Sequence, residues 1–407
     1  MSDSRLPSGF LAPRVGRITV SPSNAGAQRV RELRAQGRDV IGLTIGEPDF
    51  ETPDHVKQAA VDAMAREETK YTNVDGTPAL KAAIRAKFKR DNGLDYEPEQ
   101  ILVGNGGKQV IFNAMMASVS AGDEIIIPAP YWVSYVDMPQ LADGTPVPVI
   151  CRPEEGFKIT PAALEAAITP RTKWLVLNSP CNPTGAVYSR AELKALAAVL
   201  LRHPHVWVLS DDIYEHLLFD RLEFTTIAQV EPALYGRTLT VNGVSKAYAM
   251  TGWRIGFCGG PAPLVRNMAK IQSQTTTNAS SISQAAAIEA LNGPQDLVPQ
   301  RARAFQERRD RVLELLREAP GIDCFRPQGA FYIFANCSGM LRKRTPQGSV
   351  LETEQHAVDY LLEGAGVAVV PGAAYGLSPY FRMSIAASIE DLTEACHRIR
   401  RAAAALV

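Results

Sequence analysis

The sequence has no excess of charge of either sign, because its 43 Lys and Arg residues balance 43 Asp and Glu residues. Such a balance gives no sign of a polyanionic partner, whether nucleic acid or an acidic membrane surface. Long hydrophobic runs are missing too: no stretch approaches the ~18 apolar residues of a membrane span, and residues 1–20 lack the apolar core of a secretory signal. These absences predict a cytoplasmic protein that binds neither nucleic acid nor membrane.

Cysteine and histidine are scarce, which argues against several metal and disulfide architectures. The six cysteines are scattered along the 407 residues without a CxxC pair, so neither a zinc ribbon nor a disulfide framework is indicated. Of the six histidines, only His203 and His205 are close together, and no further ligand stands near them, so we expect no metal site. The composition, 46% hydrophobic and 21% charged, is typical of a globular protein with room for two domains.

The central part of the chain alternates short apolar runs with helical patterns. Continuous apolar runs are typical of strands in a sheet that is covered on both faces and is therefore mostly parallel. Between them, Ser189 and Glu192 are spaced as a capping box, and Pro161 after Thr160 marks another helix start. The pattern predicts a doubly wound α/β domain. The six predicted strands are 101–105, 124–130, 174–180, 206–212, 238–243 and 255–260.

The pattern changes after about residue 295. A charged helix at 301–318 leads to a short apolar strand, a helix near 353–363 and a final helix from about residue 389. We predict that residues 301–407 form a smaller α+β domain and that residues 50–300 form the larger one. Residues 1–49 are too short to fold alone and are expected to join the smaller domain.

Residues able to do chemistry follow the predicted strands, where doubly wound folds place their ligands. Gly106, Gly107 and Lys108 separate the strand at 101–105 from a helix, so backbone N–H groups and the positive end of the helix dipole would meet at one point. That point suits a phosphate, although a tight turn without a ligand explains the glycines as well.

Polar residues follow two more strands, and each of these groups has more than one possible role. Asn182 precedes proline, a pair that usually marks a turn. Asp211, Asp212 and Tyr214 follow an apolar strand. One carboxylate there fits a helix cap, whereas two fit a metal site only with a third ligand, which is not evident.

The segment VSKAYAMTGWRIGF, residues 244–257, places two cations in an otherwise apolar stretch. A lysine buried near another cation has its pKa lowered from ~10.4 and becomes a nucleophilic amine, and this role fits Lys246. Arg254 would offer its planar fork to a phosphate dianion. Together with an aspartate, these features fit pyridoxal 5′-phosphate, an aldehyde that carries a phosphate and a basic ring nitrogen.

Eight motifs in the expected order make the chain resemble a known enzyme family over about residues 14–405. It is similar to the fold-type I pyridoxal-phosphate aminotransferases of class I and II, and most of all to their bacterial aspartate aminotransferase branch. The resemblance implies a mostly parallel, doubly wound central sheet in the large domain plus a smaller α+β domain. The motifs are LTIGEPDFETP, KYTNVDG, GGKQVIFN, PYWVSY, NSPCNPTG, SDDIYEHL, SKAYAMTGWRIG and FRMSIA.

The resemblance also implies a reaction. L-Aspartate and 2-oxoglutarate would be converted to oxaloacetate and L-glutamate by transamination. The cycle would be of the ping-pong type, with the cofactor alternating between its aldehyde and amine forms. The enzyme would be a homodimer with shared active sites, and its small-molecule partners would be amino acids and 2-oxo acids.

Several matching residues would hold the cofactor, according to the resemblance. Lys246 would be the Schiff-base partner and would shuttle the substrate proton, while Asp211 would keep the pyridine nitrogen protonated. Tyr214 and Asn182 would hydrogen-bond the phenolic oxygen of the ring, and Trp132 would stack on the ring. The phosphate would be bound by Gly106, Gly107, Arg254 and Tyr71 of the partner subunit.

Other matching residues would bind the substrate. Arg382 would pair with the α-carboxylate, and Gly46 would line the same spot. Lys108 would hold the distal carboxylate of aspartate with help from Ser23, although a solvated lysine at a helix start is the plainer alternative. The resemblance implies a substrate site made of Gly46, Trp132, Asn182, Arg382, Lys108 and Ser23.

The sequence departs from its apparent relatives at two positions. Thr19 stands where relatives that also act on prephenate carry lysine, which argues against prephenate as a substrate. Gly243 stands where many relatives have a hydroxyl that binds the phosphate, and the nearby Ser245 need not replace it.

Three alternative functions compete with aspartate transamination. A broad or aromatic aminotransferase, including one for kynurenine, would use the same core, but Lys108 favours dicarboxylates because a buried cation facing an aromatic ring would lower affinity. A lyase, decarboxylase or cyclopropane-forming synthase would differ in the Cα bond set perpendicular to the ring, which the sequence does not display. A transcriptional regulator on this fold would need an N-terminal DNA-binding domain, for which residues 1–45 offer no room.

Overall fold

A seven-stranded sheet forms the centre of the computed structural model, which describes residues 9–407. Within this range thirteen strands follow one another along the chain. They are β1 (Ile41–Gly42), β2 (Ile101–Asn105), β3 (Glu124–Ala129), β4 (Thr145–Ile150), β5 (Thr172–Asn178), β6 (Trp207–Asp211), β7 (Thr238–Gly243), β8 (Ile255–Gly259), β9 (Asp323–Cys324), β10 (Tyr332–Asn336), β11 (Val367–Ala368), β12 (Val370–Pro371) and β13 (Tyr380–Ser384).

Helices connect and cover these strands. The α-helices within residues 9–407 are α1 (Pro22–Ala35), α2 (Asp54–Ala65), α3 (Pro78–Asn92), α4 (Gly107–Ser118), α5 (Ser134–Leu141), α6 (Pro161–Ala167), α7 (Arg190–Arg202), α8 (Ile227–Val230), α9 (Ala262–Ser273), α10 (Ser281–Asn292), α11 (Leu297–Leu316), α12 (Glu354–Ala365) and α13 (Ile389–Ala404). No helix in the described part of the chain is long and apolar enough to cross a membrane.

The central sheet has the strand order β2-β8-β7-β6-β5-β3-β4. Its strands are parallel except for β8, which runs antiparallel to both of its neighbours. The doubly wound, mostly parallel sheet predicted from the sequence is therefore confirmed, and each of the six predicted strands lies within two residues of its observed bounds.

Within the central sheet, the strand that sequence reasoning missed is β4, at the edge of the sheet. It contains Pro146 and Pro148 and is only partly buried. Proline is tolerated on an edge strand because its missing N–H can face away from the ladder. A run with two prolines does not look like a buried strand, which explains the omission.

Apolar side chains on both faces of the sheet pack against helices. Neighbouring residues of β2 illustrate the alternation: Ile101 and Val103 pack in a cluster with α2, α3 and α10, whereas Leu102 packs with α4 and α9 on the opposite face. A third apolar cluster joins residues of β3, β5 and β6 to residues of α6 and α7. Both faces are thus covered, as continuous apolar strands require.

Local helix signals are also confirmed. The Ser189 hydroxyl accepts from the Glu192 backbone N–H and the Glu192 carboxylate accepts from the Ser189 N–H, which closes the capping box of α7. Thr160 caps α6 by accepting from the N–H of Ala163 at 3.1 Å. The charged helix predicted at 301–318 is α11, which begins four residues earlier, at Leu297.

A second, antiparallel sheet with the order β12-β13-β10-β9 is built from the C-terminal part of the chain. It shares one buried apolar cluster with α11, α12 and α13, and that cluster also includes Ile41 and Leu43. Strand β1 pairs with β11. The division of the chain into domains at 1–49, 50–300 and 301–407 stays a prediction.

Candidate active site

A cavity of ≈ 330 Å³ lies where the carboxyl ends of β5, β6 and β7 meet residues of β10 and β13. Of the predicted site residues, all but Gly106 and Tyr71 line it. Gly106 precedes the lining residue Gly107, whereas Tyr71 is 89% exposed and lies outside the cavity of its own chain. The predicted residues that line the cavity are Ser23, Gly46, Gly107, Lys108, Trp132, Asn182, Asp211, Tyr214, Lys246, Arg254 and Arg382.

The amine of Lys246 lies in this cavity, three residues beyond the end of β7. Its Nζ donates a 2.7 Å hydrogen bond to the backbone carbonyl of Gly46. Burial, together with the nearby charges of Arg254 and Arg382, lowers the pKa of Lys246 to about 8, although the carboxylates of Glu47 and Asp211 oppose the shift. A substantial fraction of this amine is therefore neutral and nucleophilic near pH 8.

The carboxylate of Asp211 ends β6 and is buried. Burial raises its pKa to about 6, although hydrogen bonds from the Tyr135 hydroxyl and the Ile213 N–H, together with the charge of Lys246, partly offset this. A buried carboxylate of this kind gains from a protonated ligand nitrogen beside it.

Asp212, the next residue, does not face the cavity as Asp211 does. Its Oδ1 accepts a 2.7 Å hydrogen bond from Ser210, its Oδ2 is buried without a partner in the described structure, and it does not line the cavity. Burial raises the pKa of Asp212 to about 7. Successive residues at a strand end point to opposite sides, so only Asp211 of the two carboxylates faces the cavity.

Tyr135 is a site residue that sequence reasoning missed. It lies in α5, three residues after Trp132 in the motif PYWVSY, and its ring meets that of Trp132 edge to face with centroids 5.2 Å apart. Its hydroxyl donates to Oδ2 of Asp211 at 2.5 Å. One signal was available, because Tyr135 follows the predicted stacking residue Trp132 by three positions in the same motif.

The glycine turn before α4 holds Arg254 at close range. A Cβ on Gly106, whose φ is +86°, would stand 2.4 Å from Nη2 of Arg254. Arg254 itself has a φ of +55° and donates to the carbonyl of Thr251 at 2.8 Å. A guanidinium, a glycine cradle and a helix N-terminus therefore converge on one point, which suits a phosphate.

The absence of a side chain at Gly243 has a packing reason. A Cβ there would lie 3.0 Å from Cδ1 of Ile213 and 3.0 Å from the carbonyl oxygen of Ile255. The hydroxyl-bearing Ser245, two residues further on, lines the cavity instead.

Arg382 is a buried cation at the opposite end of the cavity. Within residues 9–407, the hydrogen-bond acceptors of its guanidinium are all uncharged: Oδ1 of Asn182 and Oγ of Ser23, each at 3.1 Å, and the carbonyl of Thr44 at 2.5 Å. Its Nε is buried without a partner in the same range. A buried guanidinium without an anion is costly unless a ligand supplies a carboxylate.

Lys108 lies at the mouth of the cavity, at the start of α4. Its Nζ is 4.9 Å from the centroid of the Trp132 ring. Partial burial and the charge of Arg254 lower the pKa of Lys108, while Asp137 opposes the shift. Besides Lys246 and Arg254, two cationic side chains therefore line the cavity: the exposed Lys108 and the buried Arg382.

Comparison with known proteins places the chain among enzymes. The family described as aminotransferase class I and II matches residues 38–399. An aspartate/prephenate aminotransferase of Cereibacter sphaeroides is 57% identical over 397 residues, covering 98% of this chain and 99% of the relative. The crystal structure of the Rhizobium meliloti aspartate aminotransferase superposes with a TM-score of 0.95 at 56% identity, covering 98% and 100% of the two chains. That of the Thermus thermophilus enzyme with maleate has a TM-score of 0.90 at 44% identity, covering 96% and 99%.

Proposed function

This chain belongs to the class I and II aminotransferases, and from that premise we propose that it converts L-aspartate and 2-oxoglutarate to oxaloacetate and L-glutamate. One observation carries the choice of substrate. The cavity that holds Lys246 also holds Arg382, which is buried without an anionic partner in the described range, and the cation of Lys108. Of the four cations that line the cavity, Lys246 and Arg254 suit the cofactor, and the remaining two, Arg382 and Lys108, suit a substrate with two carboxylates.

The family depends on pyridoxal 5′-phosphate, and we propose that this chain binds it in the cavity. The residues present fit the group: Gly106, Gly107 and Arg254 form the cradle for a phosphate, Asp211 offers a buried carboxylate to a ring nitrogen, and Lys246 offers its amine. When bound, the cofactor supplies an aldehyde that bonds an amine and a protonated ring that withdraws electrons.

Lys246 would act as the base and acid of the reaction. Its neutral form, favoured by burial, takes the proton from the substrate Cα, and its protonated form returns a proton. The 2.7 Å hydrogen bond to the Gly46 carbonyl fixes the amine in one direction in the unliganded protein. Lys246 would thus remove the proton from the substrate and later return it.

Asn182 and Tyr214 would orient the ring by hydrogen bonds to its phenolic oxygen. The Oδ1 of Asn182 already accepts from Arg382 at 3.1 Å, which leaves its amide N–H groups available as donors. Asn182 therefore couples the carboxylate-binding guanidinium to the ring. Trp132, held edge to face against Tyr135, would cover the ring.

We also propose a homodimer in which Tyr71 of the partner subunit completes the phosphate site. The supporting observation is that Tyr71 is 89% exposed in the single chain, which is unusual for a large aromatic side chain. The cytoplasmic location stays a prediction.

The name of the Cereibacter relative adds prephenate to aspartate. On this chain Thr19, which replaces the lysine expected of prephenate users, is exposed and uncharged. We propose that prephenate is a poor acceptor here. The Thr19→Lys variant would then raise the rate with prephenate and leave the rate with 2-oxoglutarate unchanged.

The half-reaction tests the main proposal. Purified protein is loaded with pyridoxal 5′-phosphate, and L-aspartate, L-phenylalanine and L-kynurenine are added separately without an acceptor. We expect the visible absorption to be lost fastest with aspartate, with one oxo acid released per site. Faster loss with either aromatic amino acid would overturn the dicarboxylate assignment, and a protein that gains no visible band would overturn the role of Lys246.

A further inference from the structure

Tyr332, on β10, lies against Tyr214 in the buried end of the cavity. The two hydroxyl oxygens are 2.8 Å apart, and both side chains are buried. The family resemblance implies a role for Tyr214 and none for Tyr332. The hydrogen bond between them joins residues 118 positions apart in the sequence.

Tyr332 also contacts two other parts of the site. The centroid of its ring is 4.6 Å from the guanidinium carbon of Arg382. Its hydroxyl lies so close to Gly46 that a Cβ there would stand only 2.2 Å from it. Gly46 in turn accepts the hydrogen bond from Lys246. One side chain therefore touches the groups proposed to bind the ring oxygen, the substrate carboxylate and the lysine amine.

We propose that Tyr332 is a positioning residue with two separable roles: its hydroxyl donates to Tyr214, and its ring holds the guanidinium of Arg382 in place. This inference rests on the proposed function, because it needs Tyr214 to donate to the phenolic oxygen of the cofactor. Tyr214 has one hydroxyl proton, so once that proton is donated to the ligand, its oxygen becomes an acceptor. The hydroxyl of Tyr332 is then placed to donate a hydrogen bond to that oxygen.

The hydroxyl relay strengthens the donor that faces the ligand. In a chain of hydrogen bonds each bond polarises the next, so Tyr214 donates more strongly while Tyr332 donates to it. The charged groups around Tyr214 are Asp211, Arg382 and Lys246, the last with its Nζ 5.8 Å from the ring centroid. None of these is changed by removing the Tyr332 hydroxyl.

Tyr375 provides a matched control, because its ring also contacts the guanidinium of Arg382. Its ring centroid is 5.0 Å from the guanidinium carbon of Arg382, so two tyrosine rings contact the same cation. The Tyr375 hydroxyl, however, faces Oγ of Ser23 at 3.3 Å and has no contact with Tyr214. The Tyr332→Phe and Tyr375→Phe variants each keep a ring on Arg382 and lose a hydroxyl from different networks.

The first readout is the pH at which the visible absorption of the cofactor-loaded protein changes. If Tyr214 donates more weakly, the phenolic oxygen of the cofactor keeps more negative charge. That charge favours a proton on the nearby nitrogen of Lys246. We expect the midpoint of the Tyr332→Phe variant to rise by about half a pH unit, given the modest strengthening that a neighbouring hydrogen bond confers. The Tyr375→Phe midpoint should equal that of the unaltered protein.

The second readout separates the ring from the hydroxyl. Tyr332→Phe should leave the KM for aspartate unchanged, whereas Tyr332→Leu, which removes the ring from Arg382, should raise it about tenfold. Cofactor affinity of the cofactor-free protein, measured by fluorescence quenching, should fall in Tyr332→Phe and not in Tyr375→Phe. Thermal melts of all three variants check that folding is retained.

The outcomes distinguish this inference from the proposed function. If the unaltered protein shows a titrating band and Tyr332→Phe titrates at the same pH, the relay is wrong and the proposed function stands. If Tyr332→Phe and Tyr375→Phe shift equally, the effect belongs to the environment of Arg382 and the relay is again wrong. If the unaltered protein gains no visible band with pyridoxal 5′-phosphate, the proposed function fails first.

Discussion

The hydroxyl of Tyr135 donates a 2.5 Å hydrogen bond to Oδ2 of Asp211, and both side chains are buried. Burial alone favours the neutral carboxylic acid, and this hydrogen bond is the largest of the effects that favour the carboxylate. A residue of α5 therefore helps to set the charge that the proposed cofactor would meet at its ring nitrogen.

Removing the Tyr135 hydroxyl should weaken the site through Asp211. In the Tyr135→Phe variant the pKa of Asp211 should rise above about 6, so the carboxylate is lost at a higher pH than in the unaltered protein. We expect kcat/KM for aspartate to fall about tenfold at pH 7, the scale of a hydrogen bond to a charged group. The affinity of the cofactor-free protein for pyridoxal 5′-phosphate, measured from pH 5 to 8, should drop earlier on acidification. In an Asp211→Asn background the same change should have no further effect, and an additive loss would contradict the coupling.

Asp212 should make the stability of the cofactor-free protein depend on pH. Its folded-state pKa of about 7 lies above the value of ~3.9 in an unfolded chain, so the folded protein binds more protons between these values. The contribution of Asp212 to stability is therefore present below about pH 4 and is lost as pH rises towards 7. The Asp212→Asn variant should show a smaller fall in melting temperature between pH 5 and pH 8. An unchanged dependence on pH would show that the carboxylate is not held in its neutral form.

Lys108 should determine the preference for dicarboxylates. Replacing it with alanine removes the cation at the mouth of the cavity and leaves Arg382 and Lys246 in place. We expect kcat/KM for aspartate to fall ~10–100-fold, the scale of one charged hydrogen bond, with little change for phenylalanine. The exposed Lys270 provides the control, since its replacement should change neither value. An equal loss for both substrates would assign Lys108 a structural role.

Two adjacent glycines offer a paired test of the phosphate site. An alanine Cβ at Gly106 would meet Arg254 at 2.4 Å in a backbone conformation that disfavours side chains, whereas at Gly107 the nearest atom, Cγ1 of Val241, is 3.9 Å away. The Gly106→Ala variant should lose at least about tenfold in affinity for pyridoxal 5′-phosphate, since Arg254 must move. The Gly107→Ala variant should lose much less. Equal losses, measured by equilibrium dialysis, would argue against the cradle.

Mixing two inactive variants tests the shared site. Tyr71→Ala and Lys246→Ala should each be inactive or nearly so as homodimers. In a mixed dimer one site has both defects and the other has none, so random exchange of subunits should restore about a quarter of the full activity. No recovery after verified exchange would show that Tyr71 serves its own chain, although its exposure of 89% there argues for the partner.

The sequence by itself predicted six strands of the central sheet, and its motifs indicated the enzyme family. Strand β7 and the turn at Gly106 were found because apolar periodicity, caps and glycine turns are local properties, readable within about ten residues. The resemblance assigned Lys246, Asp211 and Arg382, and the structure brings these residues, which are up to 171 positions apart, to one cavity. The proline-rich edge strand β4 was missed because an edge does not need a buried pattern.

Only the tertiary structure decided which side chains face one another. The resemblance had favoured Asp211 over Asp212, and the structure supplies the physical reason, since Asp211 lines the cavity and Asp212 does not. The structure also placed Tyr135 against Asp211 and Tyr332 against Tyr214, pairs that are 76 and 118 positions apart. Such contacts arise from the packing of whole elements, and buried polar groups must find their partners there because water is excluded. Local motifs therefore determined which reactive residues are present, and long-range contacts determined the environment of each reactive group.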